Sequence, residues 1–531
     1  MATATELPID TGASALDMAN EIFGAGITVN SAAYSGDNIS SGIFTNGDTV
    51  SSGVTPSDSG VILSTGSATD FTNSSGSTNT NTSAGTSTNT SGINGDADFN
   101  GISGGATYDA SFLEIDFTPS GSVFTIDFVL SSEEFPEYNA SFNDVIGVWV
   151  NGVEATVNIG NGNASVSNIT PDNSPDLYND NTGDQYNTEM DGFTVTLTFT
   201  APVNVGEVNT IKIGVADGGD SGYDTNLLIA GGSAQTAIVA EDDNVTVFNN
   251  AETIDVLDND TTTASGDLTI TQINGIPVVS GDSIVLSNGQ TVTLNDDGTL
   301  LISANGATET IHFNYTIENS LGETDTGLVQ VDNVTLPCFV AGTQILTGSG
   351  SKPVENLRVG DMVLTRDHGL QSIRWIGNKS VPARGAMAPI RITKGTFGVE
   401  ADLLLSPQHK ILLSGAWAEL LFAENEVLIS AKNLVNDKTI RAIESTDNVH
   451  YFHLLFDAHE IIWSNGILSE SYHPGPETMA GFDADSQAEI LQLFPELDAL
   501  TGEGYGPTAR RALTTNESEV LAIHLTPPQA V

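Results

Sequence analysis

Residues 123–130 read VFTIDFVL and residues 193–199 read FTVTLTF. In the first run Phe124, Ile126, Phe128 and Leu130 fall on one side of an extended chain, and in the second Phe193, Val195, Leu197 and Phe199 do so. Apolar residues at every second position mark a half-buried antiparallel strand, because side chains alternate between the two faces of a sheet. Nearby, VIGVWV (145–150) runs into Asn151-Gly152, a pair suited to a two-residue hairpin turn with positive φ at both positions. Together these features predict a β-sandwich over 1–237 with its acids in loops. One short helix is expected near its start, over 14–23, with Ser14 as N-cap, Asp17 in the first turn and Gly24 as the stop. Residues 64–107 are dominated by Ser, Thr, Asn and Gly and are expected to form a long loop or a disordered insertion.

Residues 238–335 repeat the strand signal at smaller scale. Short runs such as NVTVFN, DLTITQI, TVTL and TLLISA are separated by Asn274-Gly275, Asn288-Gly289, Asp297-Gly298 and Asn305-Gly306. Turns at this spacing predict a small immunoglobulin-like sandwich. The chain as a whole is expected to be all-β, with a tail over 475–531 that holds one short helix, 486–494, capped by Ser486 with Glu489.

The 531 residues carry 15 Lys plus Arg against 68 Asp plus Glu, a net charge of -53. Phosphate-backbone binding needs a basic footprint, so nucleic acid is excluded as the main partner. The charge is unevenly spread. Residues 1–337 hold 45 acids and one basic residue, Lys212, whereas residues 338–531 hold 23 acids and 14 basic residues. No run of 18 apolar residues is present to span a bilayer as a helix. The N-terminus lacks the basic and apolar regions of a Sec signal, and the acidic, Lys-poor composition points to an extracellular or cell-surface protein exported by another route, such as type I secretion. The single Cys excludes an internal disulfide. Glu133, Glu134 and Asp144 form one acidic set, and Asp217, Asp220 and Asp224 recur around Gly218, Gly219 and Gly222. Hard oxygen ligands on Gly-rich loops suit calcium, the cofactor expected for the N-terminal domains; Asx-turns would use the same acids without a metal.

Three motifs in order, SSEEF (131–135), FNDVIGVWVNG (142–152) and GVADGGDSGYDTNLLI (214–229), resemble the choice-of-anchor L domain of bacterial surface and secreted proteins. DVLDND (255–260) followed by DLTIT resembles cadherin-like and bacterial immunoglobulin-like repeats. At the charge boundary stands LPCFVAGTQILT (336–347), followed by KPVENLRVGDMVLTRDHGLQSIRWIG (352–377), LLLSPQHKILL (403–413) and YFHLLFDAHEIIWSNGILSES (451–471). These four segments resemble the Hedgehog/intein (Hint) autoprocessing domain in its bacterial subfamily. The resemblance implies an all-β horseshoe over 336–474 that acts on its own chain, and no cofactor for that chemistry.

A Cys whose own amide follows a scissile carbonyl can attack that carbonyl through a five-membered ring, turning the Pro337–Cys338 peptide bond into a thioester. The fold must then protonate the departing amine and hold the oxyanion. By resemblance, His409 matches the family histidine that acts on the scissile amide, and Ser406 stands where many members carry Thr. His459 matches the downstream histidine that assists resolution, with Asp457 as a helper by proximity in sequence. His453 occupies the position where many inteins carry an activating Asp. Splicing inteins end in His-Asn, whereas here Ser469-Glu470-Ser471 follows NGIL, so one-sided cleavage is expected in place of splicing. The partners are then the chain itself and a nucleophile or surface acceptor not identified by the sequence; no sterol-recognition segment is read. A papain-like protease is disfavoured because FVAGTQILT reads as strand where such enzymes place a helix. The alternative reading is a calcium-binding adhesion or matrix protein whose Hint segment is inactive.

Overall fold

The computed structural model describes residues 5–73, 86–136, 138, 142–157, 159, 162, 164–171, 173–248, 251–303, 309–334, 337–383, 387–445, 447–474, 484–494, 496–497, 504–514, 517–518 and 520–521. The chain folds as two compact units, one of residues 1–245, 253–301 and 311–331, the other of 246–252, 302–310 and 332–531. Both are built mainly from antiparallel strands, so the all-β expectation holds.

In the first unit an eight-stranded and a six-stranded sheet form the sandwich. Strand Val123–Ser132 is central to the larger sheet, and Phe124, Ile126, Phe128 and Leu130 all enter one buried cluster with Ile213, Val215 and Leu227. The run 193–199 departs from its expected single strand. It breaks into Gly192–Thr194 and Leu197–Pro202, both paired with Val123–Ser132. The break turns Phe193 into a second cluster with Phe44 and Met190, while Leu197 and Phe199 stay in the first. Helix Ala15–Ile22 begins where expected: the Ser14 side chain accepts from the Asp17 amide, and the Asp17 carboxylate accepts from the Ser14 amide, a reciprocal cap. Asn151 and Gly152 both take positive φ and close the predicted hairpin.

Within the Ser/Thr-rich stretch the structure differs from the loop expectation at Ala97–Ser103, a helix capped by Asp96, buried through Phe99 and Ile102 and stopped by Gly104 at φ 73°. Two apolar residues three apart suffice once a cap and a glycine stop bracket them. Residues 74–85 of that stretch lie outside the described residues, as does Asn305-Gly306. The smaller domain pairs Thr269–Ile273 with Glu309–Glu318 and with Ile276–Pro277 through an Asn274-Gly275 turn.

In the second unit a six-stranded sheet runs Trp375–Pro382, Asn448–Leu455, Phe339–Val340, Leu403–Leu405, Ile390–Ile392 and Ile440–Ala442, beside a second, eight-stranded sheet. Leu403, Leu405, Leu454, Ile411 and Ile462 are among the side chains of its apolar core. The tail helix spans Ala484–Leu493, so Ser486 lies inside it and not at its N-cap. No helix among the described residues is long and apolar enough to cross a membrane.

Phe128 stacks on Phe199 at 4.5 Å and is fully buried. Phe128→Ala is expected to cost about 3–5 kcal/mol, read as a lowered urea midpoint at unchanged slope.

Candidate functional site

The short strand Phe339–Val340 lies between two partners, with Phe339 opposite Phe452 on one side and Leu405 on the other. One step back along the two antiparallel ladders, Cys338 falls beside His453 and Ser406. The same strand that carries His453 pairs with Trp375–Pro382, where His453 faces Gly377. Residues far apart in sequence therefore line up across one sheet.

Ser406 holds the cysteine at both sides of its backbone. The Cys338 amide donates to Ser406 Oγ at 2.8 Å, and the Ser406 amide donates to the Cys338 carbonyl at 3.0 Å. His453 spans the bond before it. Its Nδ1 lies 3.0 Å from the Pro337 carbonyl oxygen and its Nε2 lies 3.5 Å from Cys338 Sγ. A carbonyl only accepts, so Nδ1 is assigned the proton and bare Nε2 faces the thiol.

Cys338, His409 and His453 are all nearly inaccessible. Burial pushes the Cys338 thiol up, eased only in part by Ser406, so the neutral thiol is favoured over the thiolate. Burial pushes His453 down to about 4, opposed by its bond to Pro337, so the ring is neutral at ordinary pH. His409 is driven well down by burial, with Lys410 adding to the effect. Its ring meets Phe339 edge-on at 4.3 Å, and the Cys338 backbone is a polar neighbour.

Of the six residues expected to serve the chemistry, four gather here: Cys338, His409, Ser406 and His453. His459 is buried elsewhere in the same domain with both nitrogens engaged. Its Nδ1 accepts from the Ala509 amide at 3.0 Å and its Nε2 donates to the Ser471 carbonyl at 3.1 Å. Asp457 is not brought to the cysteine; its side chain is 64% exposed and paired with Arg374 at 3.3 Å. Gly377 and Tyr472 stand beside His453 and carry no site signal in the sequence; strand register brings Gly377 there, and Tyr472 meets the ring edge-on.

In the first unit Glu133, Glu134, Asp144, Asp217 and Asp224 are buried. Asp144 Oδ1 accepts from the Gly218 amide at 2.8 Å, and its other oxygen accepts from Thr225. Asp224 Oδ1 accepts from the Thr88 amide at 2.7 Å. Asp220 is exposed and accepts from the Gly222 amide, an Asx-turn. Burial raises Glu133 to about 8, Asp144 and Asp224 to about 7, and Asp217 well above the ordinary carboxyl range. Among the described residues no three His, Cys, Asp or Glu side chains form a ready metal cage.

Residues 337–476 match the Hint domain family, residues 9–235 the choice-of-anchor L domain and residues 235–332 the bacterial Ig domain. None of the curated proteins matches the chain. Among solved structures the crystal structure of the gp41-1 intein is 17% identical, over 25% of this chain and 97% of that one, with a TM-score of 0.17. The solution structure of the bacterial intein-like domain from Clostridium thermocellum is 14% identical, over 25% of this chain and 97% of that one, with a TM-score of 0.20.

Replacing Ser406 by Ala leaves the buried Cys338 amide without its acceptor. Ser406→Ala in a Cys338→Ala background is expected to lose about 1–3 kcal/mol by urea unfolding, and Ser406→Thr, which keeps the hydroxyl, to regain most of it.

Proposed function

We propose that the Hint domain cuts its own chain at Pro337–Cys338 through a thioester. One observation carries this reading: a single neutral imidazole, His453, meets both the attacking sulfur and the oxygen of the carbonyl to be attacked. As Sγ bonds to the Pro337 carbonyl carbon, its proton passes to His453 Nε2 and the carbonyl electron pair moves onto oxygen. That oxygen already faces Nδ1–H, and the imidazolium formed by the proton transfer strengthens this bond as the negative charge develops. Collapse breaks the C–N bond, and the Cys338 nitrogen leaves as an amine with the proton carried by His453. Ser406 Oγ holds that nitrogen in place, and His409 beside the Cys338 backbone is suited to polarise it.

Attack on the thioester carbon by water or an external nucleophile then frees residues 1–337 with Pro337 acylated onto the new oxygen or nitrogen, and the thiol regains its proton. His459, with both nitrogens occupied, serves this reading as a clamp on Ser471 and Ala509 and takes no proton. A raised thiol facing a depressed base makes the first proton transfer uphill, so cleavage is slow. The acidic domains make a secreted or surface cargo.

A second reading is favoured by the acids of the sandwich. Lys212 is the one basic residue in 1–337, and it is bound to Asp96 and Asp98 inside a cage of Phe99, Phe112 and Trp149. Among the described residues Asp217 Oδ1 and Asp224 Oδ2 are buried without a hydrogen-bond partner. The buried carboxyls must be neutralised by protons or by a cation, and calcium has the hardness they suit.

Cys338→Ala is expected to abolish cleavage near residue 337, measured by mass spectrometry of the fragments, and His453→Ala to slow it roughly 10²–10⁴-fold; unchanged cleavage in Cys338→Ala sinks the thioester reading. The parent rate should fall as pH drops through about 4, where His453 takes a proton. For the sandwich the sign is opposite: carboxyls raised by folding hold their stabilisation at low pH and lose it as pH climbs from the ordinary carboxyl range through about 7 to 8. Melting temperature in chelator should therefore drop over that window, and excess calcium should remove the drop. An identical drop with calcium present leaves protons as the neutraliser and ends the calcium reading.

A further inference from the structure

Strand pairing places the backbone of His453 but leaves its χ angles free, and two hydrogen bonds from opposite sides of one ring demand that both be held. The side walls that hold them are aromatic, and one of them is tied to the tail helix, which lies beyond the family match at 337–476. A Cβ on Gly377, the residue facing His453, would sit 2.1 Å from Trp375 Cη2, so the indole folds across the strand where only a glycine permits it. The Trp375 ring lies 6.4 Å from Tyr472, and Tyr472 meets the His453 ring edge-on at 5.7 Å. Trp375 Nε1–H donates to Glu489 Oε2 at 3.1 Å, from the tail helix Ala484–Leu493. Cys338, Trp375, Tyr472 and Ile490 belong to one apolar cluster, so the tail helix packs into the wall of the site itself.

We propose that Trp375 and Tyr472 are positioning residues for His453 and that Glu489 of the tail helix fixes them in place. The proposal rests on the thioester reading for its rate consequences but on geometry for the ring. With its wall intact His453 is closed off from water and faces the Cys338 thiol and the Tyr472 phenol, and it feels the charge of Lys379. His409 is a further titratable ring close enough to couple to it. If the wall loosens, the imidazole gains water, its two contacts lengthen, and its affinity for a proton returns toward that of an ordinary histidine.

The test uses the full chain. Glu489→Ala should slow thiol-induced cleavage roughly ten- to hundred-fold, the scale of a small misplacement of a catalytic group, and should raise the pH at which the rate falls off. Glu489→Gln keeps an acceptor oxygen for the indole and should restore both. Trp375→Phe, which keeps the packing and removes the donor, should match Glu489→Ala. Cleavage at the parental rate and with the parental acid limb in both Glu489→Ala and Trp375→Phe overturns the proposal, as does Glu489→Gln failing to differ from Glu489→Ala. A readout independent of cleavage is the His453 ring titration by NMR in a Cys338→Ala background. Adding Glu489→Ala should move its midpoint up from about 4 toward 6.5, and an unmoved midpoint counts against the positioning role even if no cleavage is ever seen. Cleavage that survives Cys338→Ala, by contrast, sinks the thioester reading and leaves the ring titration to decide the rest.

Discussion

The register of one two-residue strand governs the site. With Phe339 set against Phe452 and Leu405, Cys338 necessarily stands between His453 and Ser406, and Gly377 follows on the far side of His453. Sheet periodicity is two, so a slip of one residue would turn Cys338 to the opposite face and replace His453 by a leucine or a phenylalanine. Long flanking strands resist that slip. Asn448–Leu455 is paired along its whole length with Trp375–Pro382, and the core of this unit is made largely of buried aliphatic side chains.

Burial then sets the electrostatics. A thiol and two imidazoles packed among apolar side chains all favour their neutral forms, and that neutrality gives His453 its tautomer: one proton, on the nitrogen that faces a carbonyl. In the sandwich the same physics acts on carboxyls with almost no basic residues to answer it. Deep burial favours the neutral form of Asp127 and Asp217 there, and of Asp325 in the immunoglobulin-like domain.

How far the sequence could be read depended on whether the signal was local. Alternation in 123–130 is local, and every apolar residue of that run's inward face entered the core. The run 193–199 has the same alternation, yet a break after Thr194 sent Phe193 to a different cluster, because the strand it pairs with offers two separate sites. Helix Ala97–Ser103 was hidden by low-complexity neighbours that do not share its cap and stop. Cys338, Ser406 and His409 could be picked out from motifs, but their meeting depends on ladders that join residues 68 and more apart. Asp457 shows the opposite case. It lies two residues from His459 in sequence, but its side chain points to solvent and to Arg374, since a neighbour along the chain is not a neighbour in space. Tyr472 carried no motif at all, and its place beside His453 follows from the hydrogen bond that its amide donates to the Leu454 carbonyl.

The indole bond from Trp375 to Glu489 also orders events in time. Glu489 is 151 residues downstream of Cys338, so at about 5–20 residues per second a ribosome delivers it roughly 8–30 s after the cysteine. Over the last 36 of those residues, from His453 to Glu489, about 2–7 s, the nascent chain holds the thiol, the carbonyl and the imidazole without the piece that braces them. The surroundings of Cys338 are thus completed only after the acidic residues 1–337 have been made.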